Sequence, residues 1–162
     1  MNKPDFKGWI DTVPNLRVDL PKLLKEYRTH VEPLMQEIDR EGTPPCQRRY
    51  ILKDSSMMPE TDRIIQELAK TLYFTDVTYR SILPGTAYFW HRDDAEVCYH
   101  IPLTTNPGSW FVYEHRSFQM PADGSVYIVN NGRWHTFVNS GYTERVHITF
   151  MDYSSGTYVI GY

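Results

Sequence analysis

Hydrophobic and polar positions change their period once along this chain. Between about Pro21 and Arg40, Leu23, Leu24, Tyr27, Val31, Leu34 and Ile38 recur at three- and four-residue steps, the spacing of one face of an amphipathic helix. Asp19 or the Leu20-Pro21 pair starts this helix, because proline is tolerated in a first turn. Pro33 kinks or splits it, and Glu41-Gly42-Thr43-Pro44-Pro45 ends it. A second helix is predicted from about Thr61 to Leu72, with Ile64, Ile65, Leu68 and Leu72 as its apolar stripe and Thr61 or Ser56 as its cap.

From Phe74 onward the pattern alternates, as on strands buried on one face. Asp76 to Leu83, Ala87 to Trp90, Val97 to Leu103, Trp110 to Tyr113, Val126 to Asn130, Thr136 to Asn139 and Arg145 to Asp152 read as strands. Pro84-Gly85, Asn106-Pro107-Gly108, Asp123-Gly124, Asn131-Gly132 and Ser140-Gly141 supply the turns between them. Strands this short and this regularly spaced predict a mainly β sandwich or barrel, with the preceding helices packed on one sheet. The 162 residues fit one domain, with a helical part over 1–73 and a strand-rich part over 74–162.

Composition narrows the function classes. Hydrophobic residues make up 41% and charged residues 23%, ordinary values for a globular domain. Twelve Tyr suit a Tyr-rich sheet or a lined pocket. A net charge of −3 offers no basic stripe for nucleic acid. The opening Met1-Asn2-Lys3-Pro4-Asp5 lacks a signal-peptide layout, and no apolar run approaches the ~20 residues of a membrane span. Cys46 and Cys98 are therefore expected as reduced thiols in a cytoplasmic protein, too few for a cysteine-rich zinc site.

The candidate chemistry sits in Tyr88-Phe89-Trp90-His91-Arg92-Asp93-Asp94. His91 and Asp93 are two apart, so an extended strand puts both on one face. A second imidazole would complete a facial triad of two His and one carboxylate, which leaves coordination positions open for a chelating cosubstrate and dioxygen. His100, His115, His135 and His147 are the candidates. His135 follows the turn Asn131-Gly132-Arg133 and sits at a sheet end, and Arg145 lies ten residues on, a separation that suits a hairpin. Its guanidinium could pair with a carboxylate in the same pocket. Taken alone, His-x-Asp is more often a surface ion pair or a satisfied hydrogen bond than a metal site. Protein kinases also use His-Arg-Asp, but the Gly-rich loop, the Asp-Phe-Gly and the required asparagine are missing here. Asn130 and Asn139 are candidates to hold the ligand rings, with turn chemistry as the alternative for both. Tyr88, Trp90 and Trp134 could pack against substrate or simply fill the core. Arg92 and Arg116 could meet a substrate carboxylate or sit as solvated charge.

Several motifs in order resemble the aspartyl/asparaginyl and prolyl β-hydroxylase-like group of 2-oxoglutarate oxygenases. Leu83-Pro84-Gly85-Thr86 leads into His91-Arg92-Asp93, and His100-Ile101-Pro102-Leu103-Thr104-Thr105-Asn106-Pro107 follows. Met120-Pro121-Ala122-Asp123-Gly124-Ser125 comes next, then His135 with Asn139, then Arg145-Val146-His147-Ile148-Thr149-Phe150-Met151-Asp152. The resemblance covers roughly residues 80 to 152. It implies a double-stranded β-helix, the cupin-like jelly roll. It implies Fe(II) on His91, Asp93 and His135, 2-oxoglutarate anchored by Arg145 with His100 close by, and O2 as oxidant. The implied reaction hydroxylates a C–H bond of an amino acid, free or in a polypeptide, of Asp/Asn or Pro type, with release of succinate and CO2. The sequence departs from the family at Cys98, where arginine is frequent. A non-catalytic cupin-like binding module, an oxygenase of another small metabolite, and a non-redox zinc or manganese protein use the same residue types.

Overall fold

The computed structural model describes residues 6–38, 45–152 and 158–160. Its strands are β1 (Ile10–Arg17), β2 (Gln36–Glu37), β3 (Gln47–Ile51), β4 (Asp76–Ile82), β5 (Thr86–Ala87), β6 (His91–Asp93) and β7 (Val97–Thr104). They continue with β8 (Ser109–Tyr113), β9 (Ser117–Phe118), β10 (Ser125–Asn130), β11 (His135–Asn139), β12 (Arg145–Met151) and β13 (Tyr158–Ile160). A large sheet runs β1-β10-β7-β12-β4-β3-β2 and a smaller one β13-β6-β11-β8-β9, with β5 also on β11. Every pairing is antiparallel. The two sheets face each other as a double-stranded β-helix, the mainly β architecture expected.

The large sheet has two different faces because β12 alternates two chemistries. Val146, Ile148 and Phe150 join Tyr79, Tyr99, Ile101 and Leu103 in a dry core with Leu23, Tyr27, Ile64 and Leu68 of the helical segments. The helices therefore cover one sheet, as predicted. The opposite face looks into the jelly roll, where Ile82, Phe111, Tyr113, Tyr127, Val129 and Phe137 form a second core. The site lies beside that second core.

The first helix starts as expected. Asp19 accepts the Lys22 amide at 3.2 Å and Pro21 takes the first turn of α1 (Leu20–Glu26). It does not reach Arg40. The chain loosens into a π turn at Tyr27–Val31, tightens into a 3-10 turn at Glu32–Leu34, and turns extended at Met35. Pro33 withholds an amide donor at that point, and the next residues pair as β2 with β3. The predicted stop at Glu41 to Pro44 lies outside the described residues.

The first 73 residues are not purely helical, because β1, β2 and β3 come from them and form both edges of the large sheet. β1 escaped the alternation test for a physical reason. Its half-buried Ile10, Val13 and Leu16 are three apart, since the pairing with β10 shifts register between Thr12 and Arg17. Asn15, at φ 59, lies within that irregularity. The strand expected over Ala87 to Trp90 shrinks to the short β5. Among the described residues no helix is long and apolar enough to cross a membrane, and neither Cys46 nor Cys98 forms a disulfide.

α2 (Pro59–Ala69) is capped from outside its own sequence. Neither Ser56 nor Thr61 caps it by a side chain. The buried Glu26 of α1 accepts the Glu60 amide at 2.7 Å, the Thr61 amide at 2.9 Å and the Thr61 hydroxyl at 2.7 Å. A carboxylate there meets two amides that the helix cannot satisfy and the positive end of its dipole. Glu26→Ala is expected to cost about 2–3 kcal/mol in urea unfolding, since it leaves buried donors unpaired. A loss below ~0.5 kcal/mol would mean that water replaces the carboxylate.

Candidate metal centre

β6 and β11 are neighbours in the small sheet, and His91 and His135 are direct cross-strand partners. Their ring centroids are 4.3 Å apart. Asp93, two residues along β6, turns to the same face, and its Oδ2 lies 3.8 Å from His135 Nε2. One ligand atom from each of His91, Asp93 and His135 falls within 4.8 Å of the others. Three residues separated by up to 44 positions in the chain are thus brought to one point by the pairing of two short strands.

Both rings are oriented by the same local device. His91 Nδ1 lies 2.9 Å from the Phe89 carbonyl, and His135 Nδ1 lies 2.8 Å from the Arg133 carbonyl. A carbonyl only accepts, so each Nδ1 carries the proton and each Nε2 presents a lone pair. His135 Nε2 is buried with no hydrogen-bond partner among the described residues. It faces a carboxylate oxygen, and two acceptors face each other with no proton between them. A cation removes that conflict, so the residues present fit a divalent metal. Asp93 is steadied by the Asn131 amide, which donates to Oδ2 at 2.8 Å. Burial pushes the Asp93 carboxyl up, and the charge of Arg80 with the Asn131 hydrogen bond pulls it back.

The expected ring holders are not the ones used. Asn139 organises the turn after β11, donating to the Ile82 and Thr143 carbonyls and accepting from Asn106 and Gly141. Asn130 donates to the Phe6 and Gly8 carbonyls. Asn131 was read only as half of an Asn-Gly turn, and nothing in its spacing marks its side chain as a partner of Asp93. His115 is exposed in the loop after β8 and takes no part.

Arg145 does not reach the site by a hairpin. β11 and β12 belong to opposite sheets, and the chain crosses between them at the Asn139 turn. The side chain still enters the interior, with its guanidinium 5.3 Å over the Phe137 ring. Arg145 Nη2 donates to His147 Nδ1 at 3.0 Å, and His100 Nδ1 lies 3.1 Å from that same atom. A guanidinium has no acceptor, so His147 Nδ1 must accept and His100 Nδ1 must donate. Among the described residues no carboxylate pairs with Arg145, and burial lowers its pKa to about 9. It remains a cation at neutral pH.

A cavity of about 240 Å³ opens between the sheets, lined by His91, Asp93, His100, Phe137, Arg80 and Thr149 among others. Tyr88 also lines it and meets His91 edge-on at 5.0 Å. Arg92, on the opposite face of β6, is exposed and lies 5.6 Å from the Trp134 ring. Arg116 is exposed and lies 5.8 Å from Trp9. Both arginines therefore read as surface charge. Cys98 is wholly buried, and its thiol feels the charge of Arg80.

Three neutral imidazoles at this depth make stability depend on pH. Burial lowers His135 to about 3, and lowers His100 and His147 well below the ordinary value. Between those folded values and an unfolded value near 6.5, the unfolded chain binds protons that the folded one refuses, so stability falls as pH falls. Each ring contributes about 1.4 kcal/mol per pH unit inside its window. Melting curves of the metal-free protein should drop steeply from pH 6.5 towards pH 4, and a flat profile would mean that these rings reach solvent.

A family model described as aspartyl/asparaginyl beta-hydroxylase matches residues 46–154. No curated protein sequence matches significantly. Among solved structures, a prolyl-4-hydroxylase from Pseudomonas putida is 17% identical over 88% of this chain and 90% of its own, with a TM-score of 0.56. The viral collagen prolyl hydroxylase of Paramecium Bursaria Chlorella virus-1, solved with 2OG, is 11% identical over 90% and 96%, with a TM-score of 0.59. A Trichoplax adhaerens prolyl hydroxylase, solved with a hypoxia inducible factor peptide, is 13% identical over 82% and 74%, with a TM-score of 0.57. At these identities the structures share the fold, and the family match carries the identity. The chain belongs to the aspartyl/asparaginyl beta-hydroxylase family and is an iron(II)- and 2-oxoglutarate-dependent oxygenase.

Proposed function

We propose that this enzyme hydroxylates a C–H bond of an amino acid, free or within a polypeptide, at a centre held by His91, Asp93 and His135. The carrying observation is the bare, buried Nε2 of His135 facing the Asp93 carboxylate. With Fe(II) and 2-oxoglutarate bound, the group supplies oxidative decarboxylation. O2 and 2-oxoglutarate are consumed, succinate and CO2 are released, and one oxygen atom enters the substrate C–H bond.

The protein's own part is orientation and exclusion of water. The Phe89 and Arg133 carbonyls hold the two imidazoles with Nε2 forward, and Asn131 holds Asp93. Arg145, a buried cation that no described carboxylate neutralises, suits the distal carboxylate of 2-oxoglutarate. His100, hydrogen-bonded into the same network and lining the cavity, is its companion. Tyr88 and Phe137 keep the wall apolar where a substrate side chain would lie. The solved relatives named as prolyl hydroxylases, one of them with a peptide, favour an amino acid or peptide substrate.

The direct test is anaerobic reconstitution with Fe(II) and 2-oxoglutarate, read by the weak visible charge-transfer band of the chelate and then by succinate release on admitting air. A band that is lost in His135→Ala supports the reading. Iron bound without a band would favour a non-redox or binding-only protein. No iron bound would remove the triad assignment.

A further inference from the structure

Gln47 opens β3 opposite Ile82 of β4, and Ile82 is opposed in turn by Arg145 of β12. Residues directly opposed in a sheet turn to one face, so Gln47 looks into the jelly roll with Ile82 and Arg145. Its backbone is committed, since the carbonyl accepts the Ile38 amide at 3.0 Å. Its side-chain carbonyl is not. Gln47 is buried and lines the cavity that contains His91 and Asp93, yet among the described residues its Oε1 meets no hydrogen-bond donor. Asn131 Oδ1 and His100 Nε2, buried on the same cavity, are in the same position. Asn131 gives its amide to Asp93, which leaves Oδ1 as a fixed acceptor. His100 donates through Nδ1 to His147, which leaves a lone pair on Nε2.

A buried carbonyl without a donor costs stability, and an apolar side chain of similar length would remove that cost. 2-Oxoglutarate does not supply the donors, because near neutral pH it is a dianion that carries acceptors alone. What these atoms lack is what an amino or peptide nitrogen carries. We propose that Gln47, Asn131 and His100 form a substrate subsite for N–H groups. The N–H belongs to the amino group of a free amino acid or to the backbone of a polypeptide. Asn131 and His100 also serve Asp93 and His147, so Gln47 is the member that a variant tests cleanly. The proposal rests on the hydroxylase reading above, and its test separates the two.

The anaerobic protein loaded with Fe(II) and 2-oxoglutarate is titrated calorimetrically with L-aspartate, L-asparagine and L-proline. Each is offered as the free amino acid, as its N-acetyl methylamide, and as the fully N-methylated counterpart of both. At least one N–H form should bind about tenfold or more tighter than its N-methylated counterpart, and the form that does so names the source. Q47L should weaken that form about tenfold and leave its N-methylated counterpart within about twofold. Q47E, which still accepts, should retain the preference. Affinities for Fe(II) and 2-oxoglutarate should stay within about twofold in both variants. Without ligands, Q47L should melt no lower than wild type, because it removes an unmet carbonyl. Q47M carries the test if Q47L does not fold.

Equal binding of N–H and N-methylated forms, or binding of none, overturns the proposal and leaves the three acceptors to water. An N–H preference that survives Q47L overturns it too, and a lower melting point in that variant would make Gln47 a packing residue. A tenfold loss of 2-oxoglutarate affinity with the N–H preference unchanged assigns Gln47 to the cosubstrate and also overturns it. If wild-type protein takes up neither Fe(II) nor 2-oxoglutarate, the hydroxylase reading fails by itself. The same titrations on the metal-free protein then decide the N–H subsite alone.

Discussion

His135→Ala or Asp93→Ala should abolish divalent-metal binding, and turnover with it. Each removes one of the three candidate donors that the described residues bring together there. Phe111 stacks on His135 at 4.9 Å, so the freed space is apolar and offers water few partners. Loss of a mere orienting partner costs about 10–100-fold in metal affinity, and loss of a ligand costs more. Anaerobic Fe(II) titration should show at least about a 100-fold loss in either variant. His135 is wholly buried, so truncation also opens a cavity and lowers stability. His135→Gln keeps most of the volume and separates the two effects. If it folds like wild type and retains full iron affinity, His135 is no ligand.

Arg145→Met should raise the 2-oxoglutarate requirement about 10–100-fold, the worth of a hydrogen bond to a charged group in a buried setting. Iron affinity should change by less than about threefold. Stability should move in an unusual direction. Arg145 is a buried cation that no described carboxylate compensates, with its pKa lowered to about 9 by burial. A methionine of similar length removes that desolvation cost, so the unfolding midpoint should hold or rise. Paired titrations of cosubstrate and metal, with a melting curve, read all three effects. An unchanged cosubstrate requirement would reassign Arg145 to supporting His147.

What the sequence made legible follows from how local each feature is. His-x-Asp on a strand needs no tertiary knowledge, and the alternation of β4, β7, β10 and β12 survives in plain view. The invisible parts depend on partners. β1 hides its alternation behind the register shift around Asn15. β2, β5 and β9 are two residues long, too short to show a period, and β6 has three. The helix ending at Leu34 carries apolar spacing that continues to Ile38, but the pairing of β2 with β3 overrides it. The choice of His135 rested on its place at a sheet end, yet the hairpin offered for Arg145 was wrong, because the chain changes sheets at Asn139. Asn131 and Glu26 gain their roles only from residues tens of positions away.

The two-faced β12 constrains how this enzyme can vary. All seven of its residues are buried, with Arg145, His147, Thr149 and Met151 on one side and Val146, Ile148 and Phe150 on the other. Side chains on either side can be exchanged one at a time for others of similar kind. A single deletion within the strand is different. It would swing the guanidinium and imidazole into the helix-covered core and the phenylalanine over the cavity. Homologous chains should therefore vary this segment by substitution, and take their insertions and deletions in the turns that flank it.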